Sequence, residues 1–355
     1  MIVIRQGYHT SERHNLLLSV ADTIKSYRND ELPEPTPDHV DRWLHQFTQD
    51  QQLPFLREFD HVMKQSFITQ KNVETFLRNL VRNEKLAGGD PVSFWSAAHF
   101  LKVQQNGQSQ KEMLKLFARC LADECGVNLA SCGKENGDYI YLDDVMFSGS
   151  RVGNDLERWI TEDAPQLAKV HVIVAAMYTS GSYFVGRRLK DVIAKSGKTI
   201  TIMYWRSVEL ENRKTYKNRS SVLWPCSIPE AAEVQTYMAL PTKFPFEPRQ
   251  AGSAVYPFSS EAGRQVLESE FLIAGAKIRA LSENPKQSIR PLGFSPFGLG
   301  FGSMLATYRN CPNNSPLAIW WGDPGVTSGA LHWYPLLQRE GYSSLRNIFD
   351  DLSEL

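Results

Sequence analysis

The chain has 355 residues, of which 42% are hydrophobic and 22% charged, and Lys plus Arg balance Asp plus Glu at 39 each. These values exclude wholesale disorder and an overall field that would recruit nucleic acid, so any polyanion site must be local. Five cysteines without a C-x-x-C pair argue against a zinc ribbon or a disulfide framework, and no apolar run reaches the ~18 residues of a membrane helix, so we expect a cytoplasmic protein with no membrane segment.

The first segment, residues 1–90, is predicted to be helical. Its apolar residues recur at helical spacing in three groups: Val40, Trp43, Leu44 and Phe47; Phe55, Leu56, Phe59, Val62 and Met63; Val73, Phe76, Leu77 and Leu80. Thr36 and Pro37 provide a cap and a first-turn proline for the first helix. Such a segment is more typical of a packing or partner-binding layer than of a catalytic domain.

Residues 91–206 alternate short apolar runs with amphipathic stretches. The pattern predicts strands over residues 94–103, 139–142, 170–178 and 199–205, and helices over residues 109–125, 152–160 and 185–194. Near-continuous apolar strands between helices indicate a parallel sheet that is covered on both faces. The fold class is therefore predicted to be α/β.

The remaining residues, 207–355, form a predicted C-terminal extension that packs on the α/β core. A helix over residues 260–281 is expected to make that contact through one apolar face. Glycines and phenylalanines alternate over residues 293–302, a pattern typical of tight turns locked by aromatic packing. The same pattern is also compatible with the lining of a pocket mouth.

Two adjacent carboxylates, Asp143 and Asp144, follow the second predicted strand. A buried strand cannot hide two charges, so both are expected at its carboxyl edge, where they suit the vicinal hydroxyls of a ribose or a magnesium ion. The turn that follows, Ser148, Gly149, Ser150 and Arg151, opens a helix and offers amides, hydroxyls and a guanidinium to a phosphate. Taken alone, the stretch is also compatible with an ordinary acidic strand end and a capped helix.

The complete string, apolar-apolar-Asp-Asp-apolar-apolar-x-Ser-Gly-Ser, resembles the signature of the phosphoribosyltransferase superfamily. Residues 290–321 and 332–339, with RWLHQF near the front, resemble a phosphoribosyltransferase-like family with a C-terminal extension, the PRTase-CE type. That family occurs in bacterial anti-phage systems, some of them linked to retrons. The resemblance implies a type I phosphoribosyltransferase-like core that binds 5-phosphoribosyl 1-pyrophosphate (PRPP) or a nucleotide, with Mg²⁺ held at Asp143 and Asp144, which it marks as catalytic.

The resemblance also implies a second anion loop, for the pyrophosphate, on a neighbouring strand. Asn106, Gly107, Gln108 and Ser109 are placed correctly for this role, with Ser109 and Glu112 as a capping box. A capped helix start without a ligand is an equally good interpretation of this loop alone. Tyr178, Thr179 and Ser180, which follow the next strand, are assigned to the base or acceptor side of the site.

The string departs from the superfamily pattern at two positions. Phe147 occupies a slot that often holds a proton-carrying residue, and Arg151 replaces the last hydroxyl of the loop. Two functions therefore remain open: an effector of a bacterial defence system that cleaves or transfers a phosphoribosyl group, or a catalytically inactive nucleotide sensor or scaffold. Expected partners are proteins of the same system or a reverse transcriptase and nucleic acid complex, and the oligomeric state is open.

Overall fold

A computed structural model describes residues 2–105, 109–133, 136–252, 255–283 and 285–339, and for residues 2–10 it describes the backbone only. The helices are α1 (Ile2–Ile24), α2 (Pro37–Leu44), α3 (Gln52–Ser66), α4 (Gln70–Val81), α5 (Glu84–Ala87), α6 (Pro91–Ala97), α7 (Ser109–Cys125), α8 (Ser150–Glu162), α9 (Thr179–Ser196), α10 (Ala232–Met238), α11 (Glu261–Ala280) and α12 (Leu317–Trp320). The strands are β1 (Phe67–Ile68), β2 (His99–Phe100), β3 (Tyr139–Met146), β4 (Leu167–Tyr178), β5 (Thr199–Leu210) and β6 (Ala306–Thr307).

The chain divides into two compact units, which do not follow the three predicted segments. One unit joins Met1–Thr69 to Thr215–Leu355, and the other is Gln70–Lys214. The sequence predicts boundaries near residues 90 and 206, whereas the structure places them between residues 69 and 70 and between residues 214 and 215. The N-terminal helices thus share a unit with the C-terminal extension, and α4 belongs with the α/β core.

The unit Gln70–Lys214 contains a four-stranded sheet in the order β2-β3-β4-β5, and all of its neighbouring strands are parallel. Strand β4 is central, and its consecutive residues Ile173 and Val174 are both fully buried, so apolar groups cover both faces. Register pairs Met146 with Met177 and Tyr178 with Leu210, which brings the carboxyl ends of β3, β4 and β5 to one edge. The predicted α/β class is confirmed.

The predicted strand over residues 94–103 is wrong for most of its length. Helix α6 covers Pro91–Ala97, and only His99–Phe100 forms a strand. The cause is a helix start, because the Asp90 carboxylate accepts a hydrogen bond from the Ser93 amide at 3.1 Å and Pro91 occupies the first turn. The apolar side chains that resemble a strand, such as the buried Trp95, instead lie on this helix.

The unit that holds both ends of the chain has an aromatic core. Helix α11 confirms the helix predicted over residues 260–281, and it packs on α3, where the ring of Phe271 lies 5.1 Å from that of Phe55. Trp43 of α2 donates its indole hydrogen to the Ala318 carbonyl at 2.7 Å, so α2 and α12 are joined in the same core. As predicted, Thr36 caps α2, accepting a hydrogen bond from the His39 amide at 3.2 Å.

The glycine-rich segment of this unit contains turns that only glycine fits. Gly293 has φ +103°, and a Cβ atom there would lie 2.2 Å from the Asn314 carbonyl oxygen. Gly300 has φ +135°, and a Cβ atom there would lie 2.4 Å from the Leu292 carbonyl carbon. These contacts support the prediction of tight turns. Within the described part of the chain, no helix has the length and apolar character that spanning a membrane requires.

Candidate functional site

The acidic doublet lies within a strand rather than beyond its end. Strand β3 continues to Met146, four residues past the predicted end, and pairs Asp143 with Val174 of β4. Successive residues of a strand face opposite sides of a sheet, and the two carboxylates differ accordingly in exposure. Asp143 is buried, with 3% of its surface exposed, while Asp144 is half-buried.

Asp143 is a carboxylate held at high electrostatic cost. Burial, followed by the charge of Asp144, raises the pKa of Asp143 to about 7, although the Ser109 hydrogen bond and the Arg151 charge act in the opposite direction. The Asp144 amide also donates to the Asp143 carboxylate at 2.9 Å. Near neutral pH the group can therefore either accept hydrogen bonds as a carboxylate or donate one as an acid.

The predicted phosphate turn is a left-handed turn that starts α8. Gly149 caps the helix with φ +77°, and a Cβ atom there would lie 2.3 Å from a methyl group of Val185 and 2.8 Å from the Gly181 carbonyl oxygen. Only glycine combines this backbone conformation with such close packing. The turn is thus fixed against the beginning of α9.

Hydrogen-bond donors cluster at this turn. Ser148 and Ser150 are exposed, with their hydroxyl oxygens 3.1 Å apart, and Arg151 is exposed in the first turn of α8. The first amides of a helix have no partner within the helix, and the helix dipole is positive at that end. The predicted phosphate-binding residues therefore form one surface suited to an anion.

Of the predicted pyrophosphate loop, Asn106, Gly107 and Gln108 lie outside the described residues. Ser109 is the first residue of α7, and its hydroxyl contacts Gln104 Nε2 at 3.2 Å and Arg151 Nη1 at 3.4 Å. The Ser109 hydroxyl also forms a hydrogen bond with the Asp143 carboxylate. Ser109, Asp143 and Arg151 thus come together from α7, β3 and α8.

The residues assigned to the base or acceptor side follow β4 directly. Tyr178 ends the strand, is fully buried and stacks on Phe147, with ring centroids 5.4 Å apart. Thr179 and Ser180 start α9 rather than a loop. The aromatic pair therefore joins the turn that starts α8 to the start of α9, and it forms an aromatic wall at this edge of the sheet.

Two residues that the sequence pattern did not indicate, Glu211 and Asn212, hold Thr179 and Ser180, and Arg213 in turn binds Glu211. The Thr179 hydroxyl donates to Glu211 at 2.6 Å, and the Ser180 amide donates to Asn212 Oδ1 at 3.0 Å. Burial acts to raise the pKa of Glu211, but hydrogen bonds from Arg213 and Thr179 outweigh it and lower the pKa to about 2. Glu211 is therefore a permanent carboxylate at this edge.

The length of β5 is the feature that would have identified Glu211, Asn212 and Arg213 as candidate site residues. The strand is predicted to end at Trp205, but it runs to Leu210. The prediction ended too early because β5 is an edge strand, and its exposed half carries polar side chains such as Arg206. With the longer strand, the Glu-Asn-Arg sequence falls at the carboxyl edge, beside the other candidate residues.

The acidic doublet fits magnesium in one binding mode only. In the described ranges, no group of three or more His, Cys, Asp and Glu side chains is arranged to hold a metal ion. Mg²⁺ commonly uses one or two carboxylates together with phosphate oxygens of a ligand. A single carboxylate, that of Asp143 or of Asp144, is enough for this mode, in which phosphate oxygens of the ligand complete the coordination.

The parallel sheet, the Asp-Asp strand and the glycine turn at its carboxyl edge define a phosphoribosyltransferase-like α/β protein. The PRTase-CE family model matches residues 40–339, most of the chain, so the chain belongs to the PRTase-CE family. The match extends through both compact units and confirms the resemblance noted from the sequence. Neither a curated protein nor a solved structure shows a significant match.

Proposed function

We propose that this chain binds a phosphorylated ribose, PRPP or a nucleotide, at the carboxyl edge of the β2-β3-β4-β5 sheet. The observation that carries the proposal is the convergence of Asp143 with Ser109 and Arg151, beside the turn capped by Gly149. Asp143 and Asp144 take the ribose hydroxyls, and the turn from Ser148 to Arg151 takes the 5-phosphate. Thr179 and Ser180 face the base or acceptor.

The reaction we propose is substitution at the anomeric carbon. The acceptor forms a bond to C1 as the C1–O bond to the pyrophosphate, or the C1–N bond to the base, breaks, and the leaving group departs with the electron pair. The transition state has oxocarbenium character, so the residues act mainly by holding the ribose and its phosphates in place. The acidic doublet, Asp143 and Asp144, would hold a magnesium ion together with the ligand, and that ion would supply positive charge to neutralise a pyrophosphate leaving group.

Sensing without turnover is the second candidate function, and the Phe147–Tyr178 stack favours it. A phenyl ring cannot carry a proton, so at this slot the chain has no acid or base to assist the leaving group. In this case the bound nucleotide sets the conformation of a scaffold. The affinity for the ligand would be retained while its consumption would be absent.

We place either activity in a bacterial anti-phage system, on the strength of membership in the PRTase-CE family. The partners would be other proteins of the system or a reverse transcriptase and nucleic acid complex. All five cysteines are free, which is consistent with the reducing cytoplasm in which such a system operates.

Calorimetry and mass spectrometry together test these proposals. The wild type is expected to bind PRPP or a nucleotide in the presence of Mg²⁺ and to consume it from a metabolite mixture. A double variant, Asp143→Asn with Asp144→Asn, should do neither, whereas Asp191→Asn, at an exposed position of α9, should behave as wild type. Binding without consumption selects the sensor function, and the absence of binding by the wild type refutes the site.

A further inference from the structure

Helix α9 buries one face against the sheet and leaves an aromatic pair on another. Val185 and Leu189 lie in the hydrophobic core of the α/β unit, whereas Tyr183 and Phe184 are 51% and 59% exposed and do not pack against that core. The two rings meet edge to face, with centroids 5.9 Å apart. A single exposed ring needs no explanation, but two adjacent rings without a packing role indicate a contact surface.

Cationic side chains continue this surface along the helix. Arg187 and Lys190 follow Tyr183 by four and seven residues, a spacing that places all three on one side of α9. Both are exposed, and the Arg187 guanidinium lies 5.9 Å from the centre of the Tyr183 ring. Gly186 has nothing within 4 Å of an added Cβ atom, so no side chain covers the backbone there. At 1.5 Å per residue, the surface is about 10 Å long.

The charges on this side of α9 favour an anion. Arg188 is paired with Glu157, whereas among the described residues no carboxylate lies within ion-pair distance of Arg187 or Lys190. Asp191 is the one acidic residue in the sequence of the helix, against four basic ones. The chain as a whole has no net charge, so this excess of positive charge is local.

We infer that the aromatic-basic face of α9, formed by Tyr183, Phe184, Arg187 and Lys190, binds single-stranded nucleic acid. Unpaired bases stack on exposed aromatic rings while neighbouring cations contact the phosphates, and this stacking tolerates any base. At 3.4 Å per base, a surface of about 10 Å accommodates about three stacked nucleotides. A duplex shows only the edges of its bases, and a membrane needs more apolar area than two rings provide.

In naming a partner, the inference rests on the proposed function, but the aromatic-basic face lies outside the site proposed for the phosphorylated ribose. Fluorescence anisotropy would measure the affinities for labelled oligothymidine and oligouridine of about 12 nucleotides, a length within the range that such sites occupy. A DNA duplex of the same length is the comparison. The variants are Tyr183→Ala, Phe184→Ala, Arg187→Gln and Arg187→Lys.

Phe244→Ala is the matched control, because Phe244 is another exposed ring beside a cation. It packs on Phe297 with ring centroids 4.9 Å apart, and the Lys243 ammonium lies 5.6 Å from its centre. This pair lies in the other compact unit. The control variant should bind oligonucleotides as the wild type does.

Tyr183→Ala and Phe184→Ala should each weaken oligonucleotide binding at least about fivefold, the smallest effect expected for one stacked base. Arg187→Gln should lower the slope of log affinity against log salt concentration by about 0.7, and Arg187→Lys should keep the wild-type slope. All melting temperatures should match that of the wild type, since these side chains are exposed. A preference for either oligonucleotide assigns the strand to DNA or RNA.

Three results would overturn the inference: no oligonucleotide binding by the wild type, tighter binding of the duplex, or an equal loss in Phe244→Ala. Cosedimentation with vesicles of phosphatidylserine and phosphatidylcholine tests the membrane as the partner. Vesicle binding that Tyr183→Ala abolishes, without oligonucleotide binding, would replace the nucleic acid by a lipid surface.

Calorimetry with PRPP separates this inference from the proposed function. Tyr183→Ala should bind PRPP as the wild type does, because the ring lies outside the ribose site. A wild type that binds PRPP but no oligonucleotide refutes the aromatic-basic face and leaves the proposed function intact. Oligonucleotide binding without PRPP binding refutes the ribose site and retains the face.

Discussion

Gly181 lies directly beneath Phe147: a Cβ atom on Gly181 would be 2.1 Å from the Phe147 carbonyl oxygen. The Gly181 backbone is equally close to the turn before α8: a Cβ atom on Gly149 would be 2.8 Å from the Gly181 carbonyl oxygen. The phosphate turn and the first turn of α9 therefore form one closely packed block. Any side chain at Gly181 must move that block, including the hydroxyls proposed to bind phosphate.

Gly181→Ala should lower the free energy of unfolding by about 1–3 kcal/mol or more, because backbone atoms must shift to admit the methyl group. It should also weaken PRPP binding, which calorimetry would show alongside denaturant titrations. Gly186→Ala is the matched control on the same helix: nothing lies within 4 Å of the added methyl, and alanine favours a helix more than glycine does. Similar stabilities for the two variants would contradict the packing described here.

Asp143→Asn should stabilise the unliganded protein at pH 8 and weaken ligand binding. The folded pKa of Asp143, about 7, is raised above its ordinary value near 3.8. The stability that this group contributes is therefore full below about pH 4 and is lost as the pH rises through 7. Asparagine carries no charge, so the variant should lack this loss.

Thermal unfolding of Asp143→Asn and wild type between pH 5 and pH 8 checks the sign. The gap in melting temperature should widen with pH, to at least about 2 °C at pH 8. Asp191→Asn, at its exposed position, should leave the pH profile unchanged. A gap that stays constant across this range would show that Asp143 does not titrate as described. A residue that binds ligand at the expense of stability is expected of a functional site.

Glu211→Gln should be less stable than wild type at pH 7. The lowered pKa of Glu211, about 2 against an ordinary value of 4.5, means that its contribution is present above 4.5 and is lost as the pH falls toward 2. The difference in stability between the two proteins should therefore narrow from pH 5 to pH 3. Thermal unfolding at several pH values measures it.

Glu209→Gln is the control for Glu211, because Glu209 lies on the same strand in an exposed ion pair with Arg206. Exposed pairs of this kind contribute little to stability. Its variant should follow the wild-type profile across the whole pH range. If Glu209→Gln and Glu211→Gln behave alike, the network with Thr179 and Arg213 does not stabilise this edge.

A buried charge cluster in the other unit makes Glu268 important for stability. The Glu268 carboxylate accepts hydrogen bonds from Arg249 at 2.9 Å and from Arg264 at 2.7 Å, and all three side chains are almost fully buried. Glu261 also pairs with Arg249, at 2.8 Å, but among the described residues Glu268 is the only carboxylate that forms an ion pair with Arg264, so Glu268→Gln leaves that buried guanidinium without its counter-charge. The free energy of unfolding should fall by about 3–5 kcal/mol, as measured by denaturant titration.

Glu12→Gln provides the comparison for Glu268. Glu12 pairs with Arg57 at 2.5 Å, and both side chains are more than a third exposed, so water compensates for the lost contact. No measurable change in stability is expected from this variant. A small effect of Glu268→Gln, comparable to that of Glu12→Gln, would mean that water reaches the buried cluster.

The sequence by itself determined the α/β class, the helices from α7 onward in the core, and the acidic strand followed by the glycine turn. Periodicity shows these elements because β4 and one face each of α7 and α8 are buried. That burial leaves a continuous apolar run in the strand and an apolar residue every three or four positions in the helices. The Asp-Asp and Ser-Gly-Ser residues could be located from the sequence because they are adjacent in the chain. Their proximity to Ser109 was a prediction from the sequence, and only the structure shows the contacts.

Tertiary structure decided what no local pattern contains. The start of α6 is an exception, because the Asp90 cap and Pro91 form a local signal that the strand prediction over residues 94–103 passed over. Glu211 became a site residue because β5 runs to Leu210, and the raised pKa of Asp143 depends on its burial beside residues distant in sequence. The grouping of both chain ends in one unit has the same origin. Burial, charge coupling and long-range contacts arise only when separate segments pack together, so sequence alone could not supply them.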